Sequence, residues 1–559
     1  MDKHYVIGVD FGTLTARGVL VDVDSGEEAA VSIQGYQDAV IDTALPGSNL
    51  PLPPEFALQN PQDYEDALEG ILRDLWQKAD VDPRRIIGIG IDFTSCTMLP
   101  LDEELVPLCY NPLYRKSPHS WPKLWKHHAA QQQADRINQL ARARGERFIK
   151  RYGNASSCEW MFAKILETLE KAPEVYTATH RFVEAADWIV YLLTGTLCKS
   201  SVNAGFKAFW SSDEGYPSED FFAALHPAMK NVIAEKIGPE VHGISAPAGH
   251  LCPRMAQATG LSTDTMVAVG NIDAHISFPA TGATQDSTML MIMGTSLCHI
   301  LISSRETQIN GIGGIVRDGV LPGFFGYEAG QAAVGDIYDW FVSNAVPSEY
   351  LEEVQKRNIN IYDLMNEKMA RLAPGASGVL ALDWWNGNRS LLVDSDLSGL
   401  LLGVTLSTTA EDIYRALVEA TAFGSRMIVE AFEAGGVPVS QVYACGGLAF
   451  KAPQVMQIFS DILGKPIAIS SIKQTSALGA AMYGAVAAGR SRGGYDTIFE
   501  AAERMTRPPS VTYRPNPAYR EIYGRLYREY VKLHDYFGKG PNHVMQTLRQ
   551  IKNDVCAAG

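Results

Sequence analysis

No apolar run in the 559 residues reaches the roughly 18 to 20 needed to cross a bilayer, so a membrane-spanning helix is not expected. The opening Met1-Asp2-Lys3-His4 leads directly into a strand-like segment with no signal-peptide pattern. Eight cysteines are scattered through the chain without a CxxC pair. Several lie in apolar runs, as in Tyr443-Ala444-Cys445, which predicts reduced, mostly buried thiols in a cytoplasmic protein and neither a disulfide frame nor a zinc site. Positive charge is also short, Lys+Arg 48 against Asp+Glu 63, a net charge of -15. Such a surface argues against a dedicated nucleic-acid or anionic-membrane binder, while leaving room for a local phosphate site. Two signatures are missing as well. No GxxxxGK occurs, and no GxGxxG follows a strand. Gly489-Arg490-Ser491-Arg492-Gly493 fits the hydrolase GxSxG pattern but follows a helix, where a nucleophile elbow requires a strand. His127-His128 are adjacent, so on a helix they point to different faces, and a solvated pair is expected in place of a metal site.

With 46% hydrophobic and 20% charged residues the chain is ordinary globular material, long enough for two large domains or several small ones. Tyr5–Asp10, a polar turn over 11–17, and a second strand over 18–22 read as a hairpin, with a third strand at 28–35. Tyr64, Leu68, Ile71, Leu72 and Leu75 fall on one face of a helix over 62–79. Ile86–Asp92 is a continuous apolar strand of the kind buried on both faces. Strands mixed with helices make an α/β fold. Residues 112–260, rich in helix formers, aromatics and charges, read as a mostly helical insertion. Strands return over 266–270. Then the opening pattern recurs, as a strand over 287–293, the turn Gly294-Thr295-Ser296, and a strand over 297–302. The repeat suggests a duplicated architecture. Helices follow over 411–434, 453–464 and, rich in alanine and glycine, 476–488. A strand at 442–445 ends in Gly446-Gly447, and a proline-rich linker precedes a Tyr/Arg-rich outer helix.

Chemistry concentrates at the turns. Asp10 ends a buried strand and is followed by Gly12, Thr13, Thr15 and Arg17. Exposed N–H groups and hydroxyls there suit a phosphate, and the carboxylate suits Mg²⁺ held through water. Gly294, Thr295 and Ser296 repeat the arrangement. Gly446-Gly447 would let backbone approach a flat group such as adenine. Asp273, Asp92 and Asp336 each occupy a position where a carboxylate could accept a proton from an attacking hydroxyl, and local chemistry does not choose among them.

DFGT near the start, GNIDAH near the middle, MGTS shortly after and a late strand–GGLA resemble the FGGY carbohydrate kinases. The resemblance covers residues 4 to 490. Asp92-Phe93-Thr94-Ser95-Cys96, Gly326-Tyr327-Glu328-Ala329-Gly330-Gln331 and 382–389 (LDWWNGNR) narrow it to the branch that phosphorylates L-ribulose in arabinose catabolism. A kinase for another ketopentose or polyol, such as D-ribulose or L-xylulose, is the nearer alternative, and an actin- or chaperone-type ATPase the more remote one.

The resemblance implies an actin-like ATPase fold. Two ribonuclease H-like domains, 1–285 with the helical insertion and 286–559, would hold ATP and Mg²⁺ in a central cleft. It selects Asp273 as the catalytic base. It matches Asp10, Gly12, Thr13, Thr15 and Arg17 to the first phosphate motif, and Gly294, Thr295 and Ser296 to the second. Gly446, Gly447 and Ala449 match the adenosine motif, and Ser95, Lys207 and Glu328 the ketose contacts. One departure stands out. An Asn often follows the glycine pair in the family, and this chain has Phe450-Lys451-Ala452. Only backbone contacts to adenosine are therefore expected. No nucleic-acid or membrane partner is implied, and a homodimer is admitted without being specified.

Overall fold

The computed structural model describes residues 3–558, without the side chains of 553 and 556–558, so Met1, Asp2 and the Cys556 thiol lie outside the described residues. Its contacts divide the chain into two compact units. One comprises Met1–Asp286, Gly314–Gly326 and Gln474–Arg507; the other comprises Ser287–Gly313, Tyr327–Lys473 and Pro508–Gly559.

In the first unit β1 (Tyr5–Phe11), β2 (Thr15–Asp22) and β3 (Glu28–Gly35) form an antiparallel meander, with a turn shorter than the sequence suggests. β4 (Ile86–Phe93) lies parallel to β1 on its other side. A separate antiparallel pair is made by β5 (Met98–Leu101) and β6 (Arg181–Glu184). β7 (Pro247–His250), β8 (Met266–Ala268) and the short β9 (Asn271–Ile272) complete the main sheet, ordered β3-β2-β1-β4-β8-β7 with β9 also beside β4. Every residue of β4 is buried, as its unbroken apolar run requires.

The two faces of this sheet are covered differently. On one, helix Pro61–Ala79, capped by Asn60 and started by Pro61, lays down Tyr64, Leu68, Ile71, Leu72 and Leu75, all buried. Phe11 stacks on Phe93 at 5.1 Å beneath them. On the other face lies helix Thr475–Ala488, so close that a methyl on Gly8 or Gly90 would overlap the carbonyl oxygens of Ala477 or Ala480. The small residues of helix and strands are what permit that approach.

The stretch 112–260 is mostly helical, but it is not one insertion. Residues between 130 and 237 build their own core around Phe148, Tyr152, Phe162 and Phe209. Trp188, Ile189, Leu193, Leu251 and Met255 instead join the main-sheet core. His127 also departs from expectation. It is buried and paired with Glu167 at 3.0 Å, while His128 is half-exposed.

The second unit repeats the wiring. β10 (Thr288–Met293) and β11 (Leu297–Ser303) form an antiparallel hairpin. β12 (Gly314–Arg317) falls among the first unit's residues, and β13 (Phe325–Gln331) lies beside β11. β14 (Leu380–Leu382) and β15 (Leu400–Leu402) pair apart. β16 (Gln441–Cys445) runs parallel to β10, followed by β17 (Ile467–Ile469) and the antiparallel β18 (Val511–Tyr513). In both sheets, then, a central first strand has an antiparallel neighbour on one side and a parallel one on the other. Helix Ala410–Ala434, opened by the Thr409–Asp412 capping box, supports this unit.

The Tyr/Arg-rich helix Arg520–Gly538 is less peripheral than its composition suggests. Tyr523, Tyr527 and Tyr530 are buried. Tyr530 donates to Asp383 at 2.7 Å, and Asp383 accepts from Gln331 at 2.7 Å. The DWWNGNR and GYEAGQ segments thus meet through one buried carboxylate. No disulfide joins the seven described cysteines. Among the described residues no helix is long and apolar enough to cross a membrane.

Candidate active site

Strand register assembles the first cluster. Arg17 of β2, Asp10 of β1, Asp92 of β4 and Asn271 of β9 are successive cross-strand partners, so they lie in one row near the carboxyl ends of β1, β4 and β9. Asp273 follows β9 directly and opens the short helix Asp273–Ile276. It is half-exposed, one carboxylate oxygen takes the Ala274 N–H at 2.7 Å, and its carbonyl accepts from Ser277 at 2.9 Å. The carboxylate is therefore oriented while remaining accessible.

The other two carboxyls sit in different electrostatic settings. Burial raises the pKa of Asp10, which the neighbouring Asp92 and Arg17 partly offset. Asp92 is fully buried, with the Asp10 carboxyl as its hydrogen-bonding neighbour. Burial, together with the charges of Asp10 and Asp273, pushes it well above the usual carboxylate range. Burial and the two neighbouring carboxylates thus disfavour the charged form of Asp92, the form that a base must take. The carboxylate donors suit a hard divalent cation such as Mg²⁺. No trio of His, Cys, Asp or Glu side chains among the described residues forms a ligand cage.

The turn after Asp10 is closed by the Gly12 N–H donating to the Thr15 carbonyl at 3.0 Å. Gln59 donates to the Thr13 carbonyl at 2.8 Å, and the Trp125 indole N–H donates to Thr13 Oγ1 at 3.2 Å. The Thr13 hydroxyl accepts there, so its own proton remains to be donated. Trp125 carried no signal in the sequence, being one aromatic among many.

In the second unit Gly294 N–H donates to the Ser296 carbonyl at 2.9 Å, a closure one residue tighter than that of the first turn. Gly294 and Thr295 are exposed. The start of helix Gly335–Asn344 packs behind, with Val334 and Asp336 N–H groups donating to the Thr295 carbonyl. That places Asp336 beside the second turn. Gly446 adopts φ +92, and a side chain there would strike the Met293 carbonyl. Gly447 is exposed and Ala449 buried, which leaves backbone as the reachable surface.

The remaining positions cluster by unit. Ser95 sits in the loop after β4 next to Cys96, a non-glycine residue at φ +65. Lys207 ends helix Ser201–Lys207, is buried, and lies 5.8 Å from the Trp160 ring. Nearby Glu184 is buried on β6, and burial pushes its carboxyl up to about 7 although Lys164 and Lys207 hold it back. Glu328 lies on β13 in the second unit.

Glu184 yields a prediction. Its proton is retained up to about 7 in the folded protein against 4.5 ordinarily, so the folded state binds more protons across that window. Stability must then fall as pH rises from 4 to 8, by roughly 3 kcal/mol from this group. Glu184→Gln cannot titrate. Urea unfolding of both proteins should show wild type losing about that much relative to the variant. A difference independent of pH would contradict it.

Residues 5–278 match the N-terminal domain of the FGGY family of carbohydrate kinases, and 289–488 match its C-terminal domain. The ribulokinase of Halalkalibacterium halodurans is 50% identical over 553 residues, 99% of this chain and 98% of that protein. The Mycolicibacterium smegmatis ribulokinase is 44% identical, over 99% and 97%. Among solved structures, a xylulose kinase from Rhodospirillum rubrum superposes with a TM-score of 0.77 at 23% identity, covering 95% of this chain and 98% of that one. A Plasmodium falciparum glycerol kinase with ADP gives 0.74 at 15% identity, over 95% and 98%. These neighbours have the actin-like ATPase fold. Both sheets repeat one wiring, each with a glycine-closed turn after its first strand, and the family's two domains match most of the chain, which therefore belongs to the FGGY family of carbohydrate kinases.

Proposed function

We propose that this phosphotransferase moves the γ-phosphoryl group of ATP to the O5 hydroxyl of L-ribulose. Its near full-length identity of about 50% to ribulokinases carries the reading. Asp273 takes the proton from O5 as the new bond to phosphorus forms. Ser95, Lys207 and Glu328 hold the hydroxyls of the ketose. The Gly12–Thr15 and Gly294–Ser296 turns supply N–H and hydroxyl donors to phosphate oxygens, Arg17 adds charge, and Gly446, Gly447 and Ala449 offer backbone to adenosine. Asp10 holds Mg²⁺ through water; when bound, the ion offsets charge on the phosphates. In this reading residues 1–285 form the sugar side with the base, and 286–559 carry the second phosphate turn and the adenosine motif. The setting is cytoplasmic, and a homodimer is compatible with it.

Ribulose has a primary hydroxyl at each end, so the product decides the regiochemistry. Carbon NMR of the product should show phosphorus coupling to C5 and C4. Coupling to C1 and C2 would contradict the assignment.

The sugar contacts predict selectivity. Lys207→Met and Glu328→Gln should each raise the ketose KM and lower kcat/KM by about 10-fold or more, with ATP affinity almost unchanged. Glycerol, too short to satisfy both charged groups, should be a very poor substrate. Steady-state kinetics against each substrate checks this; weakened ATP binding would move both residues to the nucleotide.

A further inference from the structure

Lys164, on helix Met161–Lys171, is fully buried, and the activity proposed above does not use it. Its three ammonium protons go to three backbone carbonyls, Cys96 at 2.6 Å, Leu124 at 2.9 Å and Lys123 at 3.3 Å. A cation buried among carbonyls is costly to keep charged, and burial does lower its pKa, as does the neighbouring Lys123; the carboxylates of Glu184 and Glu159 act against that shift. An apolar side chain would fill the space without that penalty, but it would leave the carbonyls unpaired. The carbonyls matter because of what adjoins them. Cys96 follows Ser95 and holds a left-handed backbone that a non-glycine residue rarely adopts. Leu124 precedes Trp125, whose indole N–H donates to Thr13 in the first phosphate turn. One ammonium therefore ties the peptide after Cys96 to the peptide before Trp125, beside the Met98–Lys123 bridge that joins the two segments through their backbones.

We propose that Lys164 is a positioning residue: by binding the Cys96 and Leu124 carbonyls it holds the Ser95 loop in the shape that receives the sugar. The proposal rests on the ketose reading of Ser95. The glycine test follows from the backbone, since glycine adopts the left-handed conformation freely.

The experiment compares Lys164→Met, which keeps length and removes all three donors, with Lys164→Gln, which keeps two N–H donors. The probes are L-ribulose and MgATP with wild type alongside. Lys164→Met should raise the ribulose KM about tenfold or more, with kcat changed by less than about threefold. Lys164→Gln should fall between Lys164→Met and wild type. Adding Cys96→Gly to Lys164→Met should recover part of the lost ribulose affinity, because the loop then needs less holding. A merely structural lysine would give variants of lowered melting temperature with unchanged KM, and that result overturns the proposal. So does a loss confined to kcat. If Lys164→Met does not fold, the KM of Lys164→Gln decides alone, and equality with wild type is the negative result. Failure of the ketose reading is distinct: wild type itself would then release no ADP in response to ribulose.

Discussion

Asp273→Asn should lower kcat by about 10²- to 10⁴-fold while leaving the protein folded and able to bind MgATP, the usual worth of general-base catalysis. The substitution keeps an oxygen to accept the Ala274 N–H, so the local geometry survives and only proton acceptance is lost. The rival carboxylates are poorer candidates on physical grounds. Asp92 is fully buried in an environment that disfavours its charged form. Asp336 stands at the start of helix Gly335–Asn344, where its N–H donates to the Thr295 carbonyl, so it lies with the second turn and not in the row of Asp10 and Asp92. Single-turnover kinetics with ribulose, beside circular dichroism and nucleotide titration of the same sample, checks the expectation. Near-normal turnover would transfer the role to Asp92 or Asp336.

Gly90→Ala should destabilise the first unit by about 3 kcal/mol or more, at the upper end of overpacking effects. The added methyl would coincide with the Ala480 carbonyl, which is helix backbone and cannot rotate aside. Helix Thr475–Ala488 would have to lift from β1 and β4, opening the packing beneath the row that contains Asp10 and Asp92. Gly35→Ala provides the control, since nothing lies within 4 Å of its added methyl, and a change within about 0.5 kcal/mol is expected. Urea unfolding of the two variants measures both. Equal midpoints would show that the helix does not seat as closely as the contacts require.

Periodicity made the main sheets legible because their strands are short, apolar and bounded by glycine turns. β3 and the helix over 62–79 fall where the spacing places them. Duplication was visible only as a repeated Gly-Thr turn. Its real content, the shared strand order of both sheets, depends on pairings between distant segments. The same distance explains why residues 474–507, late in the chain, contribute to the first unit. Buried charge was the least legible feature. No one-dimensional pattern separates Lys207, Lys164 or Lys123 from solvated lysines. All three are buried because of what surrounds them in space: an aromatic ring, three carbonyls, or Glu167 at 2.6 Å. Nor did Trp125 announce its contact with Thr13, which joins positions 112 apart.

An assay of ADP release with Mg²⁺ and ATP, run against ketopentoses, aldopentoses and polyols, tests the central claim most directly. L-ribulose should stimulate release most strongly, in step with formation of a ribulose phosphate, and glycerol should do almost nothing. ATP hydrolysis unchanged by every sugar would contradict the kinase account.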